Sequence, residues 1–199
     1  MSDPVYAQKY AQGAPRGDIL GKLKQAIDAR HTAGLGGTYI AGGSLYRPKS
    51  DNTFGGVEYG YETYGASWLS QHASLGLFAT ESEGFLATDV GTRVQLPTRL
   101  TPFAGLGLML GGSRTVVSAD HDGLDNDNDG RIDELNEMKS KIDEVLAVAY
   151  PELGVHLWFN GNWRTSVFGK YLFTNLGDQK DDWLIGGQLT YYYRPGLSK

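Results

Sequence analysis

Near the end of the chain Trp183, Ile185, Leu189, Tyr191 and Tyr193 hold alternate positions with Gly187 among them, while Leu184, Gly186, Gln188, Thr190 and Tyr192 fill the places between. That period of two is the mark of a β-strand with one apolar face. Aromatic residues rim the apolar face at both ends. A strand of ~9 to 11 residues with this rim is what a tilted, membrane-crossing strand needs, whereas strands of soluble sandwiches are nearer 5 or 6 residues.

The same alternation recurs upstream and predicts seven more strands. The first, Thr32 to Tyr46, is rich in glycine and ambiguous in phase. In the second, Gly55 to Tyr64, Val57, Tyr59, Tyr61 and Thr63 alternate with Glu58, Gly60 and Glu62. Ala66 to Gln71 reads as a turn with Trp68 at interface height, followed by strand three, His72 to Ala79, and strand four, Phe85 to Leu96. An arginine on the lipid side near the bilayer midplane costs roughly 2 to 4 kcal/mol, so Asp89 and Arg93 must face inward, which sets the phase. Strand five, Thr101 to Leu110, turns Gly105 and Gly107 inward. Strand six, Pro151 to Phe159, closes at Asn160-Gly-Asn162, a hairpin signal. Strand seven, Trp163 to Phe173, turns Ser166, Phe168, Lys170 and Leu172 inward.

Two stretches follow a helical period instead. Asp18 is placed to cap a helix through Arg30, with Ile19, Leu23 and Ile27 on one face. Such a helix could plug a barrel mouth, lie on the periplasmic membrane surface, or bind a partner. Glu134 to Ala149, with Leu135, Met138, Ile142, Val145 and Leu146 near one face, is also expected to be helical. The predicted fold is all-β: an eight-stranded antiparallel up-and-down transmembrane β-barrel with a short N-terminal helix and a helix-containing insertion between strands five and six. The expected divisions are 1–30 as arm and helix, 31–194 as barrel, 115–149 as an insertion within it, and 195–199 as a tail.

Connections after strands one, three, five and seven are mostly polar and include the two longest, while those after two, four and six are short. With this alternation, and with phrases such as Leu100-Thr-Pro-Phe-Ala-Gly-Leu-Gly-Leu108, the chain resembles the small eight-stranded outer-membrane β-barrels, the class of the outer-membrane protein A transmembrane domain. The resemblance implies an outer-membrane location, short periplasmic turns, longer extracellular loops, and both termini in the periplasm. Arg194 to Lys199 departs from the pattern by running past the terminal aromatic residue. Met1-Ser-Asp-Pro lacks the features of an export signal, so the chain is expected to be a mature form with an added start methionine.

Composition agrees with strands and turns: 28 glycines and 12 tyrosines stand against 3 methionines. Without cysteine there is neither a disulfide framework nor thiol chemistry. Charge alters the picture in one place. From Asp120 to Glu144 there are 10 acidic and 3 basic residues, a balance of -7, against -5 for the whole chain, so the remainder sums to +2. The acidity belongs to one segment and calls for a cation there; no nucleic-acid partner is expected.

In that segment Asp125-Asn-Asp-Asn-Asp-Gly-Arg-Ile-Asp133 puts carboxylates at alternate positions ahead of a glycine. Two carboxylates ~5 Å apart repel by roughly 3 kcal/mol at an effective dielectric near 20, so a cluster of them requires a hard cation. The pattern resembles the EF-hand calcium loop and the acidic calcium repeats of secreted bacterial proteins. It implies Asp125, Asp127 and Asp129 as ligands, with the Arg131 carbonyl and Asp133 following. The twelfth position holds Asn136 where the pattern has glutamate. Glu137, or Asp120 and Asp122 folding back, would complete the shell.

The inward charges Glu58, Glu62, Asp89, Arg93, Glu152, His156 and Lys170 carry both signs and read as a salt-bridged lumen. None of His31, His72, His121 or His156 falls in a recognisable Ser/His/acid arrangement. The expected role is structural or interactive, not enzymatic: a barrel presenting a calcium-ordered loop to lipid, lipopolysaccharide or an envelope protein, with the N-terminal helix as a second contact. The alternatives are a lipid A-modifying enzyme and a soluble barrel with a ligand cavity.

Overall fold

The structure is a computed structural model and describes residues 19–28, 34, 36–119, 138–159, 162–175 and 181–193. Its eight strands are β1 (Gly36–Arg47), β2 (Asn52–Ala66), β3 (Leu69–Ala79), β4 (Glu83–Gln95), β5 (Leu100–Ser118), β6 (Met138–Trp158), β7 (Trp163–Thr174) and β8 (Asp182–Tyr193). Each pairs antiparallel with its neighbours in the sequence, and β1 pairs with β8 from Thr38↔Tyr193 to Tyr46↔Ile185, so the sheet closes on itself. Closure leaves no free edge, which is what an all-β sheet needs in a medium that cannot satisfy backbone groups.

The alternation expected from the sequence is the alternation of burial. Glu62, Asp89, Arg93, Glu152, His156 and Lys170 are buried inside, while Val57, Tyr59, Val90, Leu106, Leu108, Leu153, Val167 and Leu189 stand exposed outside. The wall is therefore apolar outside while the buried charges are confined to the inside, the reverse of a water-soluble protein. Outward-facing aromatic residues of β7 and β8 cluster at both ends of the wall. At one end Trp163 packs on Tyr191 with ring centroids 5.0 Å apart, and at the other Tyr171 lies 5.3 Å from Trp183. Trp183 and Tyr193 are ten steps apart on β8; at ~3.3 Å per residue and ~40° of tilt the band between these two residues is about 25 Å tall, the height of an outer-membrane hydrocarbon layer.

Two close approaches explain glycines in the wall. A Cβ on Gly43 would lie 2.1 Å from the Gly187 carbonyl oxygen across the closing seam, and one on Gly107 would lie 2.3 Å from the Tyr150 ring. In both places a side chain would push apart packed backbone or a packed ring.

Several expectations are corrected. Residues from Met138 to Ala149 are not helical; they belong to β6, which pairs with β5 out to Ser118↔Met138. Strands five and six are thus much longer than the alternation alone suggested, and residues 115–118 and 138–149 continue the barrel's own hairpin. A register shift between Gly112 and Arg114 marks where this ladder is irregular. At the other end the stretch read as a turn is mostly strand: β2 runs to Ala66 and β3 begins at Leu69. The N-terminal helix, α1, is described over Ile19–Ile27; Asp28 already forms an isolated bridge to Thr98, and Asp18 and residues 29–30 lie outside the described region. Ile19, Leu20 and Leu23 of α1 are exposed. No helix among the described residues is long and apolar enough to cross a membrane.

Candidate functional site: the packed lumen and its mouth

Because strand residues alternate and the lumen is narrow, every inward charge must meet another. The lumen falls into three layers. Nearest the ends of the loops after β1, β3, β5 and β7, Leu45, Phe54, Phe78, Met109, Leu172 and Leu184 form an apolar layer. The middle is ionic. At the turn end Tyr39, Ala41, Tyr64, Trp158 and Tyr192 close the interior.

The ionic layer is a connected set. Arg93 donates to both oxygens of Glu152, from Nε to Oε1 at 2.5 Å and from Nη2 to Oε2 at 3.2 Å, and its Nη1 lies 3.8 Å from Glu62. Glu62 also pairs with Arg164 at 2.9 Å and accepts from the Tyr192 hydroxyl. Arg164 donates to the Tyr64 hydroxyl at 2.9 Å and lies over the Trp158 and Tyr192 rings at 5.3 and 5.0 Å. Towards the apolar layer, Lys170 donates to Asp89 at 2.6 Å, the Tyr150 hydroxyl donates to the same carboxylate, and His72 Nε2 lies 3.7 Å from it. Glu58 accepts from Tyr39 and, at 3.1 Å, from Gln188. Bidentate and cation–π contacts of this kind hold charges in a space without bulk water. Where the ionic and apolar layers meet, a cavity of about 30 Å³ beside Glu58, Asp89 and Lys170 has room for about one water molecule.

The inward parity of the sequence covers the acidic and basic members of this set apart from Arg164 and His72. Arg164 shares the parity of Ser166 on β7, so the signal was present; what was absent was the partner, since Glu62 lies 102 positions earlier. Also unforeseen is the pair His156 and Ser166, cross-strand neighbours whose Nδ1 and Oγ are 2.8 Å apart. Both are buried, His156 stacks on Phe103 at 4.0 Å, and its Nε2 has no hydrogen-bond partner. A hydrolytic triad needs an acid on the second ring nitrogen and a nucleophile open to substrate.

The expected calcium ligands Asp120, Asp122, Asp125, Asp127, Asp129, Arg131, Asp133, Asn136 and Glu137 all lie outside the described residues, as do His31, His121, the arm and the tail. Among the described residues no group of three His, Cys, Asp or Glu side chains is placed to hold a metal. What the structure gives is the base of that loop: Ser118 and Met138 are cross-strand partners, so the ends of the acidic segment are held side by side.

No family model matches the chain, and no curated protein does. Among solved structures, Neisserial surface protein A is 9% identical with a TM-score of 0.46 and covers 79% of this chain and 96% of its own. Ail, the attachment invasion locus protein of Yersinia pestis, is 12% identical with a TM-score of 0.44 and covers 80% and 98%. The N-terminal β-barrel domain of Pseudomonas aeruginosa OprF is 12% identical with a TM-score of 0.51, covering 80% of this chain and 100% of that domain. With that domain the chain shares its fold, the closed eight-stranded antiparallel barrel.

Proposed function

We propose that the chain is a non-conducting outer-membrane β-barrel with a structural or interaction role, presenting a loop that calcium orders. The observation behind this reading is the inverted barrel: an apolar outer wall, with aromatic residues near both ends, around a lumen whose middle layer is ion-paired. Eight strands give an interior just wide enough for side chains, and here those side chains neutralise one another, leaving no route for a solute. The loops after β1, β3, β5 and β7 would face outward to lipopolysaccharide, with the turns and both termini in the periplasm. The exposed apolar residues of α1 would then lie at the periplasmic surface, open to lipid or to an envelope partner.

The calcium reading rests on the spacing of Asp125, Asp127, Asp129 and Asp133 and on the closed base of their loop. The β5–β6 ladder already brings residues 118 and 138 together, so much of the closure entropy that a metal would otherwise oppose is met by the barrel. A site lacking the twelfth-position glutamate belongs to the weak, extracellular grade, with a dissociation constant of about 10⁻⁴ to 10⁻³ M.

One experiment tests both parts. The purified chain, folded in detergent, is run unboiled and boiled on a denaturing gel and digested with protease in calcium or chelator. The expectation is faster migration when unboiled, and calcium-dependent protection of residues 120–137 that disappears in Asp125→Asn/Asp129→Asn. A chain that stays folded and soluble without amphiphile would overturn the membrane reading, and protection indifferent to calcium would overturn the metal reading. The second reading, a lipid A-modifying enzyme, draws on the His156–Ser166 pair alone. Acyl transfer or release on lipopolysaccharide that falls in His156→Ala and not in His72→Ala would favour it.

A further inference from the structure

At the loop end the lumen does not fill completely. A cavity of about 200 Å³ opens inside the ring of strand ends, floored by Phe54, Phe85, Met109, Leu172 and Leu184. Its rim is polar: Arg47, Glu83, Arg114, Ser113 and Thr174. Two rim atoms stand out. Thr174 Oγ1 and Arg47 Nε are both shielded from solvent and make no hydrogen bond. Arg47 is drawn towards Asp182, but at 3.6 Å its Nε is beyond hydrogen-bond reach. Asp182 is engaged elsewhere, accepting from the backbone N–H groups of Trp183 at 2.7 Å and Lys49 at 3.3 Å.

Shielded polar atoms that make no hydrogen bond are uncommon. Both residues line the cavity above its apolar floor, Arg47 already leaning on Asp182 as a long ion pair, and together they describe a small-ligand site: a greasy body below, a hydrogen-bond acceptor above. We infer that this cup binds a small free carboxylate with an apolar or aromatic body, its carboxylate taking the Arg47 Nε–H and the Thr174 hydroxyl proton. The volume corresponds to about seven water-sized groups, which sets the ligand at roughly seven to ten heavy atoms, the size of a benzoate or an octanoate. An acyl chain of a bilayer lipid does not suit, because the strand wall separates the cup from the membrane. Glu83 on the rim disfavours a second negative charge on the ligand. The inference stands apart from the calcium reading and does not require it.

The test uses the full chain in lipid nanodiscs, with 4-fluorobenzoate as the probe followed by fluorine NMR. The expected result is saturable line broadening above that of empty nanodiscs, reversed by octanoate and absent with 4-fluorobenzylamine, which presents a cation to Arg47. Arg47→Gln removes the charged donor and Met109→Trp fills the floor; each is expected to weaken binding about tenfold or more. Folding of both variants is checked by unboiled gel migration, and Arg47→Gln, at the rim, serves if Met109→Trp does not fold. Broadening equal to that of empty nanodiscs, equal binding of the amine, or binding unchanged in a folded Arg47→Gln would each overturn the assignment.

Discussion

Replacing Arg93 by methionine tests whether the lumen is a dry, ion-paired core. Glu152 is 2% exposed and accepts two hydrogen bonds from Arg93, at 2.5 and 3.2 Å, so Arg93→Met strands a buried carboxylate. Glu62 is less affected because Arg164 at 2.9 Å and the Tyr192 hydroxyl remain. Two charge-assisted hydrogen bonds at about 1.5 to 3 kcal/mol each, and breakage of a buried pair at about 3 to 5 kcal/mol, agree on a loss of about 3 to 5 kcal/mol. The loss is read from the urea midpoint and slope for the barrel folded in lipid vesicles. Removing both charges in Arg93→Met/Glu152→Gln is expected to recover about 2 to 3 kcal/mol, a coupling that direct contact produces and distant sites do not. Raising salt to 1 M should leave the loss unchanged, since screening acts on exposed charges far more than on buried ones. A single-variant loss under about 1 kcal/mol would mean that Glu152 is already hydrated, and the sealed-lumen argument would fall.

Leu108 pairs with Val90 across β4 and β5 near mid-band, and Leu100 begins β5 at the turn end; Leu108→Arg is expected to cost about 2 to 4 kcal/mol and Leu100→Arg about 0 to 1, a depth profile that vesicle unfolding would resolve. At the closing seam Gly43→Ala should destabilise by about 1 to 3 kcal/mol because its methyl meets the Gly187 carbonyl, while the neighbouring Gly42→Ala, with nothing within 4 Å, should stay within about 0.5 kcal/mol; unboiled gel mobility against temperature separates the two. In planar bilayers the wild-type barrel should show no steady porin-like conductance, and a persistent ohmic current from the unaltered chain would contradict the filled lumen.

The phase of the barrel was legible because charged residues forbid one side of the wall. Asp89 and Arg93 fix β4, Glu58 and Glu62 fix β2, and Lys170 fixes β7; each was expected inward and each lies inward. The far end of β6 was not legible. Its Leu, Met, Glu and Lys residues favour helix, and the register shift near Gly112, where Arg114 pairs with Ile142 and Gly112 with Val145, breaks the alternation that would have revealed a strand. Pairing with β5 overrides local preference there. The ion pairs themselves were half legible: which residues point inward follows from parity, but that Arg164 meets Glu62 follows from three-dimensional closure, which no local pattern encodes. The rim of the loop-end cup was hidden for the same reason, since Arg47 and Thr174 come from opposite ends of the chain.

The seam between β1 and β8 also bears on how the molecule comes into being. Thr38 must find Tyr193, so the ladder that completes the cylinder joins the two most distant parts of the sheet. Loop closure over such a span is slow, and until it happens both outer strands expose unpaired backbone. A nascent chain missing β8 therefore has no partially useful form: it is an open ribbon with two adhesive borders, and its fate before the final strand arrives is a matter for whatever escorts it.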